Sequence, residues 1–169
     1  MSFSRSFLSA LGTCLCGAAI AAGTGHGHKH TSQMGMPGTA EEVTRSIEVV
    51  MTDNSFDLSD IDIQPGETIR FVVHNRGRLV HEFNIGTPHM HEEHQRDMLE
   101  MMQAGVLTPT GMKHGAGMMQ HDHTNSALIE PGETKELIWR FEPKVDDLQF
   151  ACNVPGHYQA GMVGEFRFN

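Results

Sequence analysis

Two stretches of the sequence alternate apolar and polar residues in the way that half-buried β-strands do. In residues 45–86, β-branched and aromatic residues alternate with polar ones between the turn signals "DNS", "QPGE" and "NRG". Residues 126–169 have the same alternating pattern. Both stretches contain "PGET", in which the proline is tolerated at the start of a strand. The pattern predicts four short strands in residues 45–86 and an all-β domain, either a sandwich or a small barrel.

A segment rich in histidine and methionine, residues 87–125, interrupts this pattern. Thr87 is a favourable helix cap, Pro88 is suited to the first helical position, and Gly105 can end the helix. The domain is therefore predicted to carry one long, partly helical insertion.

On such a helix several histidines and methionines share one face: His91, His94, Met98 and either Met101 or Met102. Methionines at this spacing more often pack than bind metal, so we expect Met98, Leu99 and Met102 to rest on the β-domain. The neighbouring histidines add a metal-binding interpretation of the same face.

The first 22 residues are typical of a secretory signal peptide. A short polar region with Arg5 precedes an apolar run of about 16 residues from Phe7 to Ala22, and small residues follow. A membrane-spanning helix needs about 20 residues, which argues against an anchor. We therefore predict periplasmic export and no stable membrane insertion after cleavage.

Residues 23–43 are rich in Gly, His and Met without apolar periodicity, which predicts a disordered tail ahead of a domain at residues 44–169. Removal of the leader takes away only Arg5, so the net charge changes from −9 to about −10. This acidity argues against nucleic acid and against anionic lipid surfaces as partners.

Cleavage of the leader removes Cys14 and Cys16 and leaves Cys152 as the single cysteine of the exported chain. Exported cysteines usually form disulfides. A lone exported thiol is either buried and inert or protected as a metal thiolate.

Strand periodicity places three potential metal ligands in the same interior. In "RLVHEFNIG", His81 shares the apolar face with Phe83, and in "DLQFACNV", Cys152 shares a face with Phe150. The "PG" turn that follows returns the chain, so that His157 comes within reach of the sulfur.

Met162 completes an evenly spaced series, Cys-x4-His-x4-Met. Two imidazoles, one thiolate and one thioether are the donor set of a mononuclear type 1 copper site, in which the methionine is a weak axial ligand. Zinc is chemically allowed, but a methionine ligand argues for copper. The predicted metal ligands are His81, Cys152, His157 and Met162.

The segment "CNVPGHYQAGM" resembles the copper loop of the cupredoxins, and "LVHEF" resembles the strand that carries their first histidine. The resemblance covers residues 45–86 and 126–169. It implies a Greek-key β-sandwich and a type 1 copper ion bound by His81, Cys152, His157 and Met162. The insertion and the His-rich tail further resemble the periplasmic copper-tolerance members of that family.

Two related kinds of copper site do not fit the loop. A binuclear centre of the terminal-oxidase type needs a second loop cysteine, and the loop has none. Multicopper oxidases have histidines on both sides of the loop cysteine, where this chain has Ala151 and Asn153. Both comparisons favour a mononuclear site.

Nine of the 12 histidines and nine of the 12 methionines lie in the tail and the insertion, where they are suited to weaker additional copper binding. We therefore predict a copper-tolerance protein that sequesters Cu(I) or oxidises it to Cu(II), with copper ions and a redox or copper-transfer protein as partners. It is not expected to be an enzyme, because four complete ligands leave a cuprous-ion oxidase no open coordination position.

The alternative function is a soluble electron carrier. A carrier needs an exposed apolar patch near His157, for which Val154, Pro155 and Ala160 are the candidates. Three further residues are candidates for orienting the ligands by hydrogen bonds: Asn75, Glu82 and Asn153.

Overall fold

The structure is a computed structural model that describes Met1 and residues 34–113, 124–142 and 145–169. The remainder of the predicted signal peptide, residues 23–33 of the predicted tail and residues 114–123 of the insertion lie outside the described residues. Among the described residues, none of the helices is long and apolar enough to cross a membrane.

Two five-stranded sheets form the domain. The first has the order β1-β10-β5-β2-β3, with β1 at Gly35–Pro37, β2 at Arg45–Thr52, β3 at Ser55–Phe56, β5 at Thr68–Asn75 and β10 at Thr134–Phe141. The second has the order β4-β12-β11-β6-β9, with β4 at Asp60–Ile63, β6 at His81–Gly86, β9 at Ser126–Ile129, β11 at Gln149–Ala151 and β12 at Val163–Phe168. The pairs β2–β5 and β4–β12 are parallel and the other pairs are antiparallel, so the predicted all-β sandwich is confirmed.

The core lies between the two sheets and is largely aromatic. Strand β5 buries Ile69, Phe71 and Val73 at every second position, as the alternating pattern requires. The Phe71 ring centroid lies 5.1 Å from that of Phe83 and 6.0 Å from that of Phe166, both in the second sheet. These contacts join the two sheets, and Phe83 lies two residues after His81 in β6.

Two predictions from the sequence, the number of strands in residues 45–86 and the disorder of residues 34–43, differ from the structure. Residues 45–86 contain five strands rather than four, because the turn at Asn54, which has a φ of 68°, returns the chain into the two-residue strand β3. The predicted disordered tail included residues 34–43, but residues 35–37 form β1 and a short 3-10 helix follows at Ala40–Glu42.

Strand β1 is fixed at one end of β10. Met34 is buried, and its carbonyl oxygen accepts a hydrogen bond from Trp139 Nε1 at 3.3 Å. Gly35 pairs with Phe141, at the end of β10, whereas the first residue of β10, Thr134, pairs with His74 in β5. Tertiary contacts that sequence periodicity does not show therefore order this part of the chain.

The insertion contains helix α1 at Pro88–Gln103, followed by a hairpin of β7 at Leu107–Thr108 and β8 at Gly111–Met112. The Thr87 side chain caps the helix by accepting from the Met90 N–H, and Gly105 follows the helix with a φ of 68°. The predicted helix and its termini are therefore confirmed.

The buried face of α1 includes His91 and Met98, and Met102 packs partly against the core. Leu99 is 45% exposed, so the prediction that it rests on the domain is wrong. It lies one position beyond Met98, and one residue turns a helix by about 100°.

Candidate metal centre

The potential ligands lie where two neighbouring strands meet. His81 is the first residue of β6, and Cys152 directly follows the last residue of β11. The two strands are antiparallel neighbours, so the start of one lies beside the end of the other. Both side chains are fully buried, as strand periodicity predicts.

The loop from Cys152 to Met162 closes on itself through its backbone. The Cys152 N–H donates to the Met162 carbonyl at 3.1 Å, and the Met162 N–H donates to the His157 carbonyl at 3.0 Å. Gly156 has a φ of 89°, and the His157 N–H donates to the Val154 carbonyl at 2.9 Å, which completes the predicted turn. The loop thereby brings His157 back to the sulfur.

Three donor atoms converge at this point. Cys152 Sγ lies 3.3 Å from His157 Nδ1 and 3.9 Å from His81 Nδ1, and the three ligand atoms all lie within 4.8 Å of one another. A metal at ordinary Zn–N and Zn–S bond lengths with trigonal angles would place sulfur and nitrogen about 3.8 Å apart. The arrangement therefore fits a bound transition metal, and the described residues contain no other such group of three His, Cys or acidic side chains.

Met162 is fully buried beside these residues. Its backbone bonds to Cys152 and to His157 hold it at the end of the loop. Its role as the axial ligand stays a prediction.

Burial determines the protonation of the metal-free site. It raises the pKa of the Cys152 thiol to about 12, and the nearby Glu82 charge acts in the same direction. Burial also lowers the pKa of His81 and of His157, so that both imidazoles are neutral at pH 7. A bound cation would displace the thiol proton. Both imidazoles, being neutral, could bind the cation through a nitrogen lone pair without first losing a proton.

Asp53 orients the first histidine, and sequence analysis did not identify it. Its Oδ1 atom lies 3.4 Å from His81 Nε2 and accepts hydrogen bonds from the N–H groups of Arg78 at 2.8 Å and Leu79 at 3.1 Å. A carboxylate on one ring nitrogen leaves the other, here Nδ1, facing the metal site. Asp53 lies in a turn 28 residues before His81, where no local pattern indicates the contact.

Asn75 fixes the backbone that leads to His81. Its Nδ2 atom donates to the carbonyls of Leu79 at 2.8 Å and Ile129 at 2.9 Å, and its Oδ1 atom accepts from the Gly77 N–H at 2.9 Å. Asn75 therefore supports the site through the loop before His81.

One of the three residues that the electron-carrier alternative needs on the surface beside His157 is not exposed. Ala160 is exposed and Pro155 is partly exposed, but Val154 is only 3% exposed. The expectation that Val154 contributes to a docking patch is therefore wrong. Its side chain belongs to the core instead.

The sequence is similar to known copper proteins. A family model described as copper binding proteins of the plastocyanin/azurin family matches residues 43–169. The chain is 49% identical over 165 residues to the copper-resistant cuproprotein CopI of Pseudomonas aeruginosa, with 89% of this chain and 88% of that protein covered. It is 36% identical over 141 residues to CopI of Rubrivivax gelatinosus, with 83% and 76% covered.

Solved structures share the fold at lower identity. Auracyanin B matches with a TM-score of 0.60 and 18% identity, covering 80% of this chain and 96% of that one. The dithionite-reduced auracyanin of Roseiflexus castenholzii matches with a TM-score of 0.56 and 16% identity, covering 75% and 98%. These similarities identify the type of β-sandwich.

Proposed function

The chain belongs to the plastocyanin/azurin family of copper-binding proteins, and from this premise we propose that it is a periplasmic copper-tolerance protein with one mononuclear type 1 copper site. The observation that carries the proposal is the convergence of one buried thiol and two imidazole Nδ1 atoms at the end of strand β11. The relatives from Pseudomonas aeruginosa and Rubrivivax gelatinosus are named as copper-resistant cuproproteins, which supports the tolerance role.

In this proposal His81, Cys152 and His157 would hold the copper, with the Met162 thioether as a weaker fourth ligand. Copper held in this way supplies a one-electron redox couple. The chain contributes a buried thiol that gives up its proton, two neutral imidazoles, and the Asp53 carboxylate that orients His81. Burial of His81, Cys152 and His157 keeps bulk water from the donor atoms.

The His- and Met-rich segments favour tolerance over electron transfer. Their imidazoles suit Cu(II) and their thioethers suit Cu(I), so they would capture excess copper loosely in the same chain as the proposed tight site. Oxidation of Cu(I) at the tight site would pass one electron to a redox partner protein. An electron carrier has no need of two such segments.

Growth across a copper series tests the role. A deletion strain should become sensitive to copper, wild type should restore growth, and Cys152→Ser should fail to do so. Ser46→Ala, which changes an exposed strand residue, is the matched control and should restore growth fully. Immunoblots of periplasmic and cytoplasmic fractions verify equal expression and test export.

Two results would contradict the tolerance role. Unchanged growth of the deletion strain in copper, with impaired respiration, would favour the electron carrier. Full rescue by Cys152→Ser would show that the thiolate site is not needed and that the His- and Met-rich segments suffice.

Copper affinity at the site should rise about tenfold per pH unit between about pH 7 and pH 9, because binding displaces one proton. That proton comes from the Cys152 thiol, whose pKa of about 12 lies above this range, while the pKa values of both histidines lie below their ordinary value. Competition with a chelator of known pH dependence measures the slope. If the logarithm of the affinity does not change with pH, the thiol is already ionised before copper binds. If it rises by two per pH unit, an imidazole also loses a proton on binding.

A further inference from the structure

Helix α1 of the insertion lies against the metal-binding loop. Gln159 Nε2, in the loop, donates to Gln95 Oε1 on the helix at 2.6 Å. The His91 ring centroid lies 5.9 Å from that of Tyr158, the residue after His157. The insertion is thus in contact with the site as well as joined to it in sequence.

A buried carboxylate connects the helix to the site. Glu82 is only 2% exposed, and its Oε1 atom lies 2.8 Å from His94 Nε2 on α1. Its Oε2 atom accepts from the Asn153 N–H at 3.3 Å and from Asn153 Nδ2 at 3.0 Å. A carboxylate this deeply buried is costly unless it is paired and hydrogen-bonded, so His94 is its compensating cation.

The electrostatics of the pair agree with this geometry. Burial alone would raise the pKa of Glu82, but the charge and hydrogen bond of His94, with the hydrogen bonds from Asn153 and Asn84, outweigh it and lower that pKa. Burial likewise opposes a charge on His94, but the charge and hydrogen bond of Glu82, together with the charge of Asp97, outweigh it and raise the His94 pKa. Both effects favour an ionised pair.

Glu82 also contacts the thiol directly. Its backbone N–H lies 3.3 Å from Cys152 Sγ and donates to the sulfur, while its carboxylate holds the peptide N–H of the next residue, Asn153. Hydrogen bonds to a ligating sulfur and nearby net charge are two of the means by which a protein adjusts a metal's reduction potential. Glu82 thus links the His94 cation on the helix to the Cys152 sulfur and to the backbone N–H of the residue that follows Cys152.

We propose that the Glu82–His94 ion pair is a positioning pair for the copper site, through which helix α1 sets the relative stability of Cu(I) and Cu(II). The inference rests on the type 1 site of the proposed function. The carboxylate favours the more positive Cu(II), and the His94 cation, which reaches it from the helix, offsets this preference. Loss of either partner therefore shifts the balance, and the two losses shift it in opposite directions.

The test compares copper-loaded Glu82→Gln and His94→Gln with wild type at pH 6, where the raised pKa of His94 keeps this side chain charged. The readouts are the reduction potential and the ratio of the two thiolate-to-copper absorption bands. Glu82→Gln should change the ratio of Cu(I) to Cu(II) affinity about tenfold in favour of Cu(I), which raises the potential by about 59 mV for one electron. His94→Gln should lower the potential, because it leaves the carboxylate without its cation.

Matched controls come from the exposed face of the same helix. Glu92 and Arg96 form an ion pair at 3.2 Å with side chains that are 70% and 60% exposed, so Glu92→Gln and Arg96→Gln should leave both readouts unchanged. In the metal-free protein, the NMR signal of the Asn153 N–H should move in His94→Gln and stay in place in Arg96→Gln.

The outcomes separate this inference from the proposed function. Shifts in the same direction, or shifts no larger than those of the controls, would overturn the role of the pair while leaving the copper site intact. If Glu82→Gln does not fold, His94→Gln decides alone: a lower potential supports the pair and an unchanged one overturns it. Wild-type protein without a thiolate-to-copper band would instead refute the type 1 site on which the pair acts.

Discussion

Cys152→Ser should abolish the thiolate-to-copper absorption bands and release one copper ion per chain. The thiolate is the one anionic donor among the predicted ligands, and a serine hydroxyl is neither as acidic nor as polarisable. The loss of affinity should exceed the roughly 10–100-fold that removal of an outer hydrogen-bond partner costs a metal site. Absorption spectroscopy and copper analysis after dialysis against a weak chelator measure both effects.

The stability of the metal-free variant shows whether Cys152→Ser affects copper binding alone or also the fold. Cys152 Sγ accepts the Glu82 N–H in the metal-free protein, and a serine oxygen can accept the same bond. Metal-free wild type and variant should therefore unfold at similar urea concentrations. Copper that remains on the variant after dialysis measures binding to the His- and Met-rich segments. Retention of the absorption bands would exclude Cys152 as a ligand.

Phe71→Ala should destabilise the metal-free domain by about 3–5 kcal/mol, which is the usual cost of removing a buried phenylalanine. Its fully buried ring packs against Phe83, Phe141 and Phe166 and so connects the two sheets. Since domains of this kind are stable by only about 5–15 kcal/mol, much of the folding free energy would be lost. Urea unfolding without copper measures the change, because bound metal would add its own stabilisation.

Phe168→Ala provides the comparison for this prediction. Phe168 is the last residue of β12 and is only partly buried. Its substitution should cost less than half as much, because fewer contacts are lost and the surroundings can close the space. Equal losses for the two variants would show that the aromatic contacts between the sheets do not dominate stability.

The inward direction of His81 and of Cys152, and the return of His157 through the loop, follow from local rules and were predictable. The alternation of side chains along a strand determines which of them point inward, and a Pro-Gly turn determines where the loop returns. The helix cap at Thr87 and the helix end near Gly105 are similarly local. These features depend only on residues within a few positions of one another.

The contacts that sequence analysis missed join residues far apart in the chain. Asp53 reaches His81 because a turn of the first sheet lies over the start of β6. Glu82 was a candidate for orienting a ligand, but its pairing with His94 depends on the angle at which α1 docks. Strand β3 is two residues long, too short for a period to show.

The register of β1 separates the start of the domain from the proposed copper centre. Gly35 joins β10 at Phe141, and the opposite end of β10, at Thr134, lies beside the His74 end of β5, from which the chain continues to His81. The eight residues of β10 make seven steps, about 23 Å, between these ends. The chain therefore enters the domain at the end of β10 away from the proposed centre, so a reporter inserted directly before Met34 should leave copper binding at that centre unchanged.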